Sequence, residues 1–203
     1  MQIRYLTVAA AAILALGAAT QAQALQITRA AGGGFTAGVA AVPMSGTDLV
    51  VDVSGVNTNA GAEDPSNVVR FYQLTPGALV DAMSWAVTIT AFAPSWLSEA
   101  TISFRNSDGD GVVLSPGAGV DQPGTGSYSD AVLLSDFALS FNIGADGLLR
   151  VEFFEGFDDP INPDALFVSG NVTFANVVPE PATYGMMALG LLAVGAAARH
   201  RRG

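Results

Sequence analysis

The chain has no cysteine and a single histidine, His200, close to its C-terminus. Between Leu25 and Val178 there is no histidine, cysteine or lysine at all. That absence excludes Ser-His-Asp and Cys-His nucleophile pairs, Schiff-base lysines and ordinary zinc sites from this stretch. Positive charge is equally scarce there: Arg29, Arg70, Arg105 and Arg150 face seventeen acids, a net of −13 against −10 for the whole chain. A surface of that sign repels phosphate backbones, so nucleic acid is excluded as a partner, whereas a solvated secreted protein or a cation binder fits. Without disulfides the fold must rest on burial, and a domain of about 150 residues removes roughly two thirds of its unfolded surface from water.

Long apolar runs are confined to the two ends. Residues 1–24 carry one positive charge at Arg4, an apolar stretch from Leu6 to Ala19, and small side chains at Ala22 and Ala24. This is the pattern of a secretory signal peptide cleaved by signal peptidase after Ala24. A permanent membrane anchor is disfavoured, because the apolar run is short and is followed by Gln21 and Gln23. At the other end, the uncharged stretch from Ala182 to Ala198 would extend about 25 Å as a helix. That length is within the range of a transmembrane span, with Tyr184 placed for the headgroup region. Glycines at 185, 190 and 195 weaken the same helix in water. Arg199, Arg201 and Arg202 follow, and a basic flank is retained in the cytoplasm, so the main body lies across the membrane. Ahead of the span, Pro179 and Pro181 bracket Glu180 and hold the backbone extended and exposed, as a processing protease requires.

The tail, with VPEP, then an apolar segment containing ALGLLAVG, then RHRR at the terminus, resembles the PEP-CTERM sorting signal of Gram-negative bacteria. The resemblance covers Val178 to Gly203. It implies handling by exosortase, a membrane-embedded cysteine-dependent enzyme acting near the PEP motif in bacteria that make extracellular polysaccharide. A sortase signal would need an LPxTG-like site, and lipoprotein attachment would need a cysteine; neither is present. The expected organisation is a signal peptide over 1–24, a secreted domain over 25–178, and a sorting signal over 179–203 made of PEP motif, transmembrane helix and basic tail. The expected route is export across the inner membrane, transient anchoring by the C-terminal helix, and arrival at the cell surface or extracellular matrix.

The middle of the chain alternates with a period of two. Met83, Trp85, Val87 and Ile89 fall on one face of a strand, and Ile102 and Phe104 on one face of another. The same pattern predicts strands at 137–143, with Phe137, Leu139, Phe141 and Ile143 inward, and at 168–174, with Val168, Val172 and Phe174 inward. Residues 148–154 suit a central strand covered on both faces, and 48–53 and 68–74 are further strands. Gly/Pro/Asp-rich turns separate them at 106–111, 115–127, 144–147 and 158–164. Many short strands without a helical stripe predict an all-β fold, an antiparallel sandwich of jelly-roll type. No repeat points to a solenoid.

The remaining chemistry is that of carboxylates. Glu152 and Glu155 are three apart on a strand and should project to opposite faces, which does not suit a glycosidase pair. Trp85, in the inward register, is expected in the core. Asn106, Asp108 and Asp110 followed by Gly111 match the start of a calcium loop, although the twelfth position is Gly117 where an EF-hand has glutamate. Glu155, Asp158 or Asp159 could supply the missing oxygens; a plain Asp-Gly hairpin turn accounts for the same residues. The expected function is a non-catalytic exported protein, structural or polysaccharide-interacting, with exosortase and signal peptidase as partners during export. A secreted glycan-active enzyme using carboxylates and a calcium-dependent adhesion module are the alternatives.

Overall fold

The computed structural model describes residues 26–30, 32–36, 48–175 and 177. The signal-peptide positions Ala22 and Ala24 lie outside the described residues, as do Pro179, Glu180, Pro181, the proposed span, and Arg199, Arg201 and Arg202. Among the described residues no helix is long and apolar enough to cross a membrane.

The strands are β1 (Ile27–Arg29), β2 (Leu49–Asp52), β3 (Val56–Thr58), β4 (Val68–Gln73), β5 (Leu79–Val80) and β6 (Ala82–Ala91) in the first half. They continue as β7 (Ala100–Asn106), β8 (Gly111–Leu114), β9 (Gly124–Leu133), β10 (Phe141–Asn142), β11 (Leu148–Glu155) and β12 (Ala165–Phe174). One sheet has the order β1-β8-β7-β11-β4; the other has β2-β12-β6-β9, with β3 also paired to β12. β5 and β10 form a small separate ladder, and every pairing is antiparallel. The fold is therefore all-β, two antiparallel sheets packed face to face.

Alternation explains the packing. Met83, Trp85, Val87 and Ile89 of β6 are all buried, as are Ile102 and Phe104 of β7. Two aromatic contacts stitch the sheets together across the core. Phe104 of β7 meets Phe174 of β12 edge-on with ring centroids 4.8 Å apart, and Phe153 of β11 meets Phe167 of β12 at 5.6 Å. β11 sits between β7 and β4, and its outward face is covered as well as its inward one. The outer cover comes from the loop before β4, which places Glu63 and Asn67 on Glu152, and from Phe35, whose ring lies 5.4 Å from that of Phe71. The C-terminal end of the domain is fastened too: Val177 is buried, and its carbonyl accepts from Thr75 N at 2.9 Å.

Three local expectations are corrected. Residues 137–143 are not one strand: Leu134–Phe137 form a 3₁₀ turn, Ala138 takes a left-handed φ of 56°, and only Phe141–Asn142 pair. Phe137 and Leu139 still pack against the core, so apolar spacing was preserved without the strand. Val168 is outward and 43% exposed, because the β12 register shifts between Phe167 and Ser169. Finally, β9 begins at Gly124, inside the stretch expected to be a turn, since Ser and Thr on its exposed face mask the alternation.

Candidate carboxylate site

Strand pairing brings three distant segments to one end of the sandwich. Glu155, the last residue of β11, pairs with Ala100, and Ala165, the first of β12, pairs with both Ala91 and Thr58. The connections 92–99 and 156–164 are thus neighbours. Backbone hydrogen bonds lock them: Phe92 N donates to Asp164 O at 2.9 Å, Gly156 N to Glu99 O at 2.8 Å, Asp164 N to Thr58 O at 3.0 Å, and Glu155 N to Ala60 O at 2.8 Å. Glu99 Oε2 accepts from Trp96 N at 2.7 Å, which fixes that carboxylate beside the indole.

Two carboxylates are enclosed here. Glu155 is 1% exposed and Asp164 0%. Glu155 Oε1 accepts a hydrogen bond from Thr58 Oγ1, but Glu155 Oε2 and both Asp164 oxygens make no well-formed hydrogen bond, and neither does the buried Ser95 Oγ. Burial pushes Glu155 up to about 8; the Thr58 bond pulls the other way, and the charges of Asp164, Glu99 and Asp159 add to the rise. Burial likewise raises Asp164 to about 6, helped by Asp158 and Asp159 and opposed by Ser95 beside it. Among the described residues no arginine offsets this charge. Arg29 pairs with Asp110 at 3.0 Å, Arg70 donates to Asp52 O and lies over the Phe153 ring, and Arg105 and Arg150 both engage Glu63 and Glu152.

The same two connections line a cleft of about 380 Å³, with Pro94, Trp96, Glu99, Phe157 and Asp159. Trp96 is 43% exposed and Phe157 65%. Trp85, in contrast, is buried as expected.

Glu152 and Glu155 do project to opposite faces. Glu152 faces outward under the loop, accepting from Arg150 Nη1 at 2.6 Å, Glu63 N at 2.7 Å and Asn67 Nδ2 at 3.1 Å. Burial works against its ionisation, yet the Arg150 and Asn67 hydrogen bonds and the Arg150 charge outweigh it and hold the carboxyl below its usual value.

The 106–110 segment forms the β7–β8 turn. Asn106 Oδ1 accepts from Asp108 N at 3.0 Å and Asp110 N at 2.8 Å, and Asp110 Oδ1 accepts from Gly111 N and Arg29 Nη1, each at 3.0 Å. Glu155, Asp158 and Asp159 do not complete this segment. Asn106 pairs with Leu149, whereas Glu155 pairs with Ala100, so they are separated by six residues of strand, about 20 Å. Asp164 closes the Glu152–Asp164 acid-rich region that the glycan-active alternative draws on, whereas Glu99, Ser95 and Thr58 carry no sequence signal for this site. The available signal was the acid-rich, aromatic EGFDDPINPD stretch without a basic residue.

No curated protein matches the chain. Among solved structures it aligns with a Nora virus structure at 11% identity and a TM-score of 0.18, over 70% of this chain and 64% of that one. The family comparison falls on the tail alone. Residues 177–202 match the PEP-CTERM protein-sorting motif, which implies export and processing by exosortase at the membrane.

Proposed function

We propose that the chain is an exported, non-catalytic protein of the cell surface or extracellular matrix whose jelly-roll-type sandwich contacts polysaccharide through the Trp96–Phe157 cleft. Signal peptidase removes residues 1–24, and exosortase acts near Pro179, Glu180 and Pro181 while Arg199, Arg201 and Arg202 remain in the cytosol. The observation carrying this reading is the cleft itself, two exposed aromatic rings beside two carboxylates on a domain delivered outside. Aromatic faces cover the apolar side of a sugar ring, and carboxylate oxygens accept from its hydroxyls. Glu99 is already oriented for this by Trp96 N.

A glycan-active enzyme is the second reading, favoured by the raised Glu155 and Asp164. A general acid must reach the glycosidic oxygen, however, and both groups are enclosed and neither lines the cleft. The deciding experiment is retention on a panel of bacterial extracellular polysaccharides, with reducing ends assayed in parallel. Retention that falls about tenfold in Trp96→Ala, equivalent to ~1.4 kcal/mol, is expected, without reducing-end release. Absence of retention on every polysaccharide overturns the reading.

A further inference from the structure

We propose that Glu155 and Asp164 seat a divalent cation of the calcium class at this end of the sandwich. Three of their four carboxylate oxygens make no well-formed hydrogen bond although both side chains are at least 99% enclosed, and the buried Ser95 hydroxyl, which acts on Asp164, makes none either. Desolvated oxygens left unpaired cost stability, and desolvated carboxylates without a counter-charge cost more. Five acids, Glu99, Glu155, Asp158, Asp159 and Asp164, influence one another here, while each of the four arginines between Leu25 and Val178 is engaged elsewhere. A proton on Glu155, whose carboxyl is pushed up to about 8, relieves part of this charge, and a cation from solution competes with that proton.

The donor set selects the ion. Glu155 and Asp164, with Thr58 bonded to the first and Ser95 acting on the second, offer only oxygen atoms from their side chains. Oxygen-only sites suit hard cations and exclude those that need imidazole or thiolate. Among the described residues no three acidic side chains stand close enough to share an ion as they are. Calcium accommodates this better than magnesium, because it takes six to eight oxygens in irregular geometry, water included, whereas magnesium demands a near-ideal octahedron. Asp158 and Asp159 lie on the connection between Glu155 and Asp164 and add negative charge around the pair, and the Asn106 turn at the other end is not involved.

Thermal melts of the full-length chain in detergent, stripped with EDTA and titrated with calcium or magnesium chloride at pH 7.5, test this. Saturating calcium should raise the midpoint by about 5 to 10 °C, with magnesium giving a smaller shift. Glu155→Gln and Asp164→Asn should fold, since glutamine replaces a largely protonated Glu155 and asparagine removes the charge of Asp164; in EDTA Asp164→Asn should melt higher than the wild type and Glu155→Gln close to it, and both should lose the calcium response. Asp110→Asn should keep it. Identical midpoints in calcium and EDTA overturn the proposal, as does a calcium shift that survives in both variants. No glycan enters the assay, so this inference and the polysaccharide reading fail independently.

Discussion

Glu152 illustrates how a single residue can be indispensable without being near any site. It lies under the loop before β4 with Arg150 Nη1 at 2.6 Å and Arg105 Nη2 at 3.8 Å, and the Arg105 and Arg150 side chains are only 3% and 10% exposed. Glu63 pairs with the same two guanidiniums but is 54% exposed. Removing a partner from an enclosed ion pair strands the remaining charge, so Glu152→Ala should cost about 3–5 kcal/mol, whereas Glu63→Ala should cost no more than about 1 kcal/mol. Urea unfolding of the two variants checks the ranking; equal losses would contradict it. Alternation alone puts Glu152 on the outer face of β11. That this face is covered depends on residues 32–36 and 59–67, which carry no pattern announcing where they dock.

At the scale of elements, the β12–β6–β9 ladder carries the second sheet. Gly170 is where β12 passes closest to β6: its φ is +119°, and a Cβ there would lie 2.0 Å from the Ala86 carbonyl oxygen. Gly170→Ala should therefore destabilise by at least about 2 kcal/mol, through backbone strain and displacement of the neighbouring strand together. A pair on the other side of β6 is gentler. Thr90 Oγ1 and Thr125 Oγ1 are 2.8 Å apart on the exposed face of β6 and β9, so a Thr90→Val, Thr125→Val double-mutant cycle should report about 0.2–1 kcal/mol of coupling. Strands 83–91 and 100–105 were legible because bulky apolar residues alternate with polar ones. Residues 137–143 had the same alternation and became a 3₁₀ turn and a two-residue strand, because spacing reports which side chains are buried, not the backbone that buries them. β9 was hidden for the converse reason, since its outward residues are small and hydroxylated and resemble a turn.

For the whole molecule, acidity makes stability depend on pH in two opposed ways. Glu155 and Asp164 are raised to about 8 and about 6 from ordinary values of 4.5 and 3.8, so the folded state binds their protons more tightly than the unfolded chain does. In calcium-free solution that contribution is full below about pH 4 and is lost as pH rises through 6 and 8. The exposed Asp52, Asp64 and Asp81 are shifted down by hydrogen bonds from Ser54, Ser66 and Ser140, and their smaller contribution disappears as pH falls through the acid range. Melting midpoints in EDTA should accordingly peak near pH 5 and decline toward pH 8, and calcium should reduce that decline. A flat profile from pH 5 to 8 would mean that the enclosed pair does not titrate as its surroundings require.

Destination was written locally. The proline-bracketed Glu180, the apolar run and the terminal arginines lie within one short stretch, where order and spacing suffice, and the family match over residues 177–202 agrees with that reading. Sheet-rich architecture was also available from the sequence, because period-two alternation is a property of neighbouring residues. The carboxylate site was decided only by tertiary structure. Thr58, Ser95, Glu99, Glu155 and Asp164 come from segments as much as 106 residues apart, and it is the β3–β12–β6 and β11–β7 pairings that bring them together. Whether a carboxylate is solvated or enclosed depends on what packs over it, and no pattern within one strand records that.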